Sequence, residues 1–170
     1  KQGQYLIEGG YDPSNIYIRQ WNKGNVQGNE FGKVIKTLRG HTNSIRMLLS
    51  DREFSDHMFS CGDDNCIILW NLNTGQIVKQ YNGHENAVRA LCKVSKNVLV
   101  SAGNETCIKF WNIERGECIH TIDEAHGDWI RALLYSAVNQ VLISTSHDNT
   151  VKLWELKIRG EVNEIESCTL

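Results

Sequence analysis

Three histidines, His41, His84 and His126, each precede a serine and an acid at nearly constant spacing: Ser60 and Asp64, Ser101 and Glu105, Ser144 and Asp148. These are the residue types of a Ser–His–Asp hydrolase relay, in which an imidazole activates a hydroxyl and a carboxylate orients the imidazole. The repetition argues against that chemistry, because a hydrolase needs one such site. Each serine also lies ten residues, and each acid six, before a tryptophan: Trp70, Trp111 and Trp154. A buried Asp–His–Ser–Trp hydrogen-bond network tying a turn to the next strand accounts for both spacing and repetition. All three sets are therefore read as structural and none as catalytic. Glu105, one methylene longer than aspartate, is expected to disturb the middle network.

Other chemistry is sparse. The six cysteines, Cys61, Cys66, Cys92, Cys107, Cys118 and Cys168, form no Cys-x-x-Cys pair. Neither a disulfide framework nor a metal-ligand cluster is expected from their spacing, and they read as free, mostly buried thiols of a reducing compartment. No glycine loop suited to cradling phosphate is present, so no cofactor is expected. Asn104-Glu105-Thr106 matches a glycosylation sequon but lacks a secretory context. The remaining repetition is basic: Arg46, Arg89 and Arg131 each stand five residues after a histidine.

The elements that must position these residues follow the same period. His41, His84 and His126 are 43 and 42 residues apart, and the tryptophans follow them by 29, 27 and 28. Before each tryptophan runs a short apolar strand: Ile67–Trp70, Ile108–Trp111 and Val151–Trp154. A second strand ending in small residues precedes it: Met58–Gly62, Val100–Gly103 and Ile143–Ser146. Polar turns at 63–65, 104–106 and 147–149 join the two, which describes antiparallel hairpins rather than helices. Further strands follow each histidine, at Ser44–Leu49, Ala87–Cys92 and Trp129–Leu134. A last set follows each tryptophan after a turn, at Ile77–Tyr81, Cys118–Ile122 and Glu161–Glu166. The third of these turns is expected at Lys157–Gly160.

Four strands per period of 40–45 residues, with Gly40-His41, Gly83-His84 or Ala125-His126 near the start and a tryptophan near the end, resembles the WD-repeat β-propeller family. Three complete repeats, about residues 33–166, carry the resemblance. The Trp-Asp pair of the family reads Trp70-Asn71, Trp111-Asn112 and Trp154-Glu155 here. The resemblance implies an all-β fold, with the His–Ser–acid–Trp sets as structural tetrads. It also implies that Arg46, Arg89 and Arg131 begin the innermost strands, in an arc around the mouth of the central channel. Guanidinium forks there suit acidic or phosphorylated peptides. Equally, each arginine could pair with a turn acid such as Asp63, Glu105 or Asp148. Trp129 is either an interface anchor or an inter-blade packing residue. Asp63, Asn104 and His147, preceding the turn acids, are expected on the same face.

The first segment reads as a degenerate blade. Gln4–Gly9, Asn15–Trp21 and Val34–Leu38 are its second to fourth strands, with an Asp12-Pro13 turn, a polar insertion at Asn22–Gly32, and Asn15 in place of the turn acid. The blades are expected at residues 1–38, 39–81, 82–122 and 123–166, with a tail at 167–170. Fifteen strands fall one short of four blades, so the chain is expected to be an incomplete arc of a larger ring of about seven blades. The ring would be completed by the rest of a longer chain, or less favourably by a second copy. At 170 residues, 41% hydrophobic, 22% charged and a net charge of −2, the composition offers no global field for nucleic acid or an anionic membrane. No apolar run is long enough to span a bilayer. The expected function is a non-catalytic, intracellular interaction scaffold, cytoplasmic or nuclear, holding protein or peptide partners. The alternative is a WD-repeat module appended to a signalling enzyme or to a ubiquitin-ligase substrate receptor.

Overall fold

Alternating apolar positions and turn residues build short strands throughout. The computed structural model describes residues 4–9, 14–21, 32–50, 56–159 and 164–169. The Asp12-Pro13 turn and most of the Asn22–Gly32 insertion lie outside the described residues. Among the described residues all regular elements are strands, fifteen in number, in four antiparallel sheets. The first sheet has three strands, β1 (Gln4–Gly9), β2 (Asn15–Trp21) and β3 (Val34–Arg39). The second comprises β4 (Ile45–Ser50), β5 (His57–Gly62), β6 (Ile67–Asn71) and β7 (Gln76–Tyr81). The third comprises β8 (Val88–Lys93), β9 (Val98–Gly103), β10 (Ile108–Asn112) and β11 (Cys118–Ile122). The fourth comprises β12 (Ile130–Ser136), β13 (Val141–Ser146), β14 (Val151–Arg159) and β15 (Glu164–Thr169). Each sheet is a meander in sequence order.

The sheets pack face to face because their strands are apolar on both faces. In β6, Ile68 and Trp70 join Ile16, Leu38 and Met58 in one core, whereas Ile67 and Leu69 join Phe59, Tyr81 and Trp111 in the next. Likewise Ile108 and Phe110 of β10 pack with Ile130, Leu142 and Trp154. Trp70, Trp111, Phe59 and Phe110 are almost wholly buried, and each such side chain contributes roughly 1.5–3 kcal/mol or more relative to exposure. The first strand β8 touches both β4 and β12, and β1, β5 and β9 each touch the first strand of the following sheet. That stepwise contact places β1 as a second strand.

Lysines brace neighbouring sheets from outside. Lys36 Nζ donates to the Leu72 carbonyl at 2.9 Å and also to that of Asn73, while Lys79 Nζ donates to the Glu114 carbonyl. They reach the tight turns after β6 and β10. There Asn71 and Asn112 side chains accept from Thr74 and Arg115 N–H, and Gly75 and Gly116 adopt φ of +78°. A left-handed residue is needed five positions after each tryptophan, and glycine supplies it without Cβ strain.

This explains a correction in the fourth sheet. In place of the turn expected from Lys157, residues 157–159 continue β14; of the strand expected at Glu161–Glu166, residues 164–166 fall in β15, and 161–163 lie outside the described residues. β14 continues through Arg159 and pairs with Glu164–Thr169, so residues 167–169 belong to a strand and not to a tail. Glu155 stands where Asn71 and Asn112 cap their turns, and Arg159 stands where the left-handed glycine is required. Without either device the hairpin lengthens. The thiols also differ somewhat from expectation: Cys61 is buried, Cys66, Cys92 and Cys107 are half-buried, and Cys118 is exposed, all unpaired. Cys168 side-chain placement lies outside the described residues.

Candidate partner-binding face

The tetrad residues come together in each of the last three sheets. His41 Nδ1 lies 2.8 Å from Asp64 and its Nε2 2.6 Å from Ser60 Oγ, which accepts from Trp70 Nε1 at 2.7 Å. The corresponding distances for His126, Asp148, Ser144 and Trp154 are 2.9, 2.7 and 2.9 Å. A carboxylate only accepts, so Nδ1 carries the proton and Nε2 receives the serine hydroxyl. The proton order is then Trp to Ser to His to acid, with every group satisfied. Ser60, Ser101 and Ser144 are fully buried, beneath a tryptophan rather than beside a cleft. A hydroxyl so placed cannot reach a substrate.

The middle set closes with a longer contact: His84 Nδ1 to Glu105 is 3.1 Å, with Nε2 to Ser101 at 2.6 Å and Trp111 to Ser101 at 2.7 Å. The extra methylene carries the Glu105 carboxylate further out. There it accepts from the Glu85 and Asn86 N–H groups at 2.5 and 2.7 Å, and from the Cys107 thiol at 3.1 Å. Burial works against its ionisation, but the bonds from His84, Cys107 and Asn86 prevail and lower its pKa to about 2. Asp64 is lowered in the same way, its burial outweighed by His41, Thr42 and Cys66. For Asp148 the Thr150 hydroxyl leads, with Gly127 N–H and His126 adding to it. Burial and the adjacent carboxylate push the Cys107 thiol up to about 12. His84, Glu105 and Cys107 thus bring three metal-ligating atoms within 4.8 Å of one another. A search for paired cysteines overlooks this mixed set, although Glu-x-Cys downstream of a histidine is its trace.

Arg46, Arg89 and Arg131 share a feature that sequence spacing did not disclose. Each is the extra residue of a β-bulge, between Ile45 and Met47, Val88 and Ala90, and Ile130 and Ala132. A bulge re-aims its side chain out of the ladder. One backbone bond recurs beside it: the N–H of Asp63, Asn104 and His147 donates to Ser44, Ala87 and Trp129 carbonyls at 2.9, 2.8 and 2.9 Å. The approach is so close that a Cβ at Gly103 would lie 2.0 Å from the Ala87 carbonyl oxygen. The residue before each turn acid is thereby set beside the bulge arginine.

The three arginines nevertheless have different surroundings. Arg46 forms a two-pronged pair with Asp63, with Nε to Oδ1 at 2.7 Å and Nη2 to Oδ2 completing the fork. The Arg46 bonds hold the Asp63 carboxyl below its usual range. Arg89 Nε donates to the neutral Asn104 amide at 2.6 Å and reaches Asp63 of the preceding sheet only at 3.8 Å. Glu105 is not its partner, nor is Asp148 that of Arg131. Arg131 is exposed, and its neighbour in the repeat is His147, whose ring tilts against Trp129 at 5.9 Å. Trp129 is 44% exposed and stands outside the inter-sheet cores.

The family model for the WD domain, G-beta repeat (WD40) matches residues 32–71, 75–112 and 116–155. The chain belongs to the WD40 family. Each matched WD40 unit runs from the last strand of one sheet through the third strand of the next, so every unit bridges two blades. The fold resembles the solved WD40 β-propeller domain of Doa1 with a TM-score of 0.71 and 26% identity, over 88% of this chain and 46% of that one. Four blades are therefore an incomplete arc of a propeller. The nuclear distribution protein PAC1-1 of Uncinocarpus reesii is 31% identical over 96% of this chain and 37% of its own length. Nuclear distribution protein PAC1 of Arthroderma otae is 27% identical over 94% and 35%. The ribosome biogenesis protein WDR12 homolog of Chlamydomonas reinhardtii is 28% identical over 71% and 28%. The chain spans about a third of the length of the curated relatives it matches. No helix among the described residues is long and apolar enough to cross a membrane.

Proposed function

We propose that this chain is a non-catalytic interaction scaffold, holding a protein or peptide with acidic or phosphorylated groups on the face that carries Arg46, Arg89 and Arg131. The observation that carries this reading is the stepwise loss of local neutralisation along the arc. Asp63 occupies Arg46, Asn104 gives Arg89 an uncharged partner, and with His147 at that position the Arg131 guanidinium has no carboxylate partner among the described residues. Positive charge is thus available towards the fourth blade, beside an exposed tryptophan. Arginine and tryptophan dominate interface energetics, and a guanidinium fork matches carboxylate and phosphate oxygens. Asp63, Asn104 and His147 set which arginine is open to the partner.

The remainder of the propeller would come from a longer chain. In support, Val151 and Leu153 are 60% and 39% exposed, whereas the corresponding Ile67 and Leu69 are 0% and 6%. A following blade would cover them; a second copy of the chain is the alternative. The relatives are named for nuclear distribution and ribosome biogenesis, which favours a structural component of an intracellular assembly, cytoplasmic or nuclear, over a substrate receptor or a module of a signalling enzyme. The test is fluorescence anisotropy against acidic and phosphoserine peptide libraries. Arg89→Glu with Arg131→Glu should weaken the best peptide at least tenfold, and adding Arg46→Glu should abolish binding with the fold intact. Unchanged binding by the triple variant would refute the reading.

A further inference from the structure

The middle blade combines two residues that meet in space only there. Its turn acid is Glu105 rather than aspartate, and two residues on stands Cys107, where the flanking blades carry Cys66 and Thr150. In the second blade the corresponding thiol turns away, donating to the Ile67 carbonyl and to Asn82 at 3.6 and 3.5 Å. In the fourth, the Thr150 hydroxyl donates to Asp148 at 2.6 Å. Only in the middle blade does a carboxylate oxygen stand between an imidazole nitrogen and a sulfur. Glu105 Oε2 is 3.1 Å from His84 Nδ1 and 3.1 Å from Cys107 Sγ.

We infer that His84, Glu105 and Cys107 form a binding site for a borderline divalent cation, with zinc the best match. Nitrogen, oxygen and thiolate sulfur at bond lengths of about 2.0–2.3 Å around tetrahedral zinc stand roughly 3.3–3.6 Å apart. The two separations, both 3.1 Å, fall a few tenths of an ångström short of that range, so a small outward shift of the side chains would admit the ion, and all three atoms lie within 4.8 Å. The ligands are also held from behind, as metal ligands are. Glu105 Oε1 is fixed by the Glu85 and Asn86 N–H groups, leaving Oε2 for the ion, and His84 is fixed through Nε2 by Ser101. The carboxylate and the thiolate balance the charge of the ion. Glu105 and Cys107 are only half-buried, leaving room for a water as fourth ligand.

Binding has a defined proton balance. The thiol gives up its proton to solvent, and the imidazole proton leaves Nδ1 for Nε2; the Ser101 hydroxyl hydrogen rotates away from Nε2, and its oxygen then accepts from both His84 Nε2 and Trp111 Nε1. Affinity therefore rises with pH, because binding releases a proton.

The experiment titrates the reduced chain with Co2+, a spectroscopic probe for zinc sites, and then displaces it with Zn2+. One Co2+ per chain should bind with a thiolate-to-metal charge-transfer band and the ligand-field intensity of a four-coordinate ion. Cys107→Thr, which reproduces the residue of the fourth blade, should abolish that band and weaken binding at least tenfold while keeping the same circular dichroism. Cys107→Ser serves the same purpose should the threonine variant fail to fold. Cys66→Thr should change nothing. The inference is overturned if no band forms at millimolar Co2+, or if the band survives without Cys107.

Discussion

The second and fourth blades carry the same pattern yet differ in what surrounds it. Leu69 and Leu153 are the same residue at the same place in the repeat, one strand position before the tetrad tryptophan, but they are 6% and 39% exposed. Arg46 and Arg131 occupy corresponding bulges, one locked to an aspartate and the other exposed, with no carboxylate partner among the described residues. The tetrads, by contrast, close with similar lengths, the His–acid contacts being 2.8 and 2.9 Å. The difference separates what a blade makes for itself from what neighbours confer. The tetrad is internal and survives in both. Burial of the forward face needs a following sheet, and neutralisation of the bulge arginine needs an acid at one particular turn position.

The largest expected consequence tests burial. Leu69→Ala should cost about 2–4 kcal/mol, because it opens a cavity between two packed sheets, whereas Leu153→Ala should cost about 1 kcal/mol or less. Urea unfolding of the two variants measures this directly. Equal losses would mean that the fourth blade is as well packed as the second, and the comparison would fail.

The tetrads should behave oppositely, giving matched losses. Ser60→Ala and Ser144→Ala each leave a tryptophan N–H and a histidine nitrogen buried without a partner. Each should therefore cost roughly 2–3 kcal/mol. A loss confined to one blade would show that the two networks are not equivalent in strength despite their similar lengths.

These contrasts indicate how far sequence reading reaches. The strands, their order, and the His–Ser–acid–Trp sets repeat within each period, so they are legible from spacing. Features that depend on a single departure were harder to see. The repeat spacing predicts the last strand at Glu161–Glu166, three residues before β15, because spacing alone does not show that Arg159 stands where the other blades have a left-handed glycine. The bulges at Arg46, Arg89 and Arg131 leave no trace in apolar alternation, since they arise from a backbone bond between a loop carbonyl and the next turn. The cluster of His84, Glu105 and Cys107 crosses from one loop to another turn, and its mixed ligand types match no paired-cysteine spacing. Repetition identifies structure; local exceptions to it carry the candidate chemistry.

Acid titration offers a smaller effect that again joins the two blades. Hydrogen bonds outweigh burial and keep Asp64 below the ordinary aspartate value of 3.8. A carboxylate with a lowered folded-state pKa contributes stability above its unfolded value, and that contribution disappears as pH falls through the folded one. Asp64→Asn should cost on the order of 1–2 kcal/mol at pH 7, and its difference from the parent should shrink below about pH 3.8. Asp148→Asn should show a pH dependence of the same sign. Stability curves collected from pH 7 to 2 check both, and a difference that grows on acidification would contradict the assigned direction.

The smallest effect bears on the arginines. Arg46 and Asp63 are partly exposed, with side chains 24% and 19% accessible, so their forked pair should be worth only about 0.5–1 kcal/mol after screening by solvent. Arg46→Gln should remove that much, and half-molar salt should remove most of the difference from the parent. Arg131→Gln should leave stability unchanged, since among the described residues Arg131 has no side-chain partner to lose. Chemical denaturation at low and high salt separates the two cases. A measurable cost at Arg131 would assign it a structural contact and return it to the status of Arg46. A neutral result, combined with loss of peptide binding in the glutamate variants, would leave partner recognition as the reason for an arginine at that bulge.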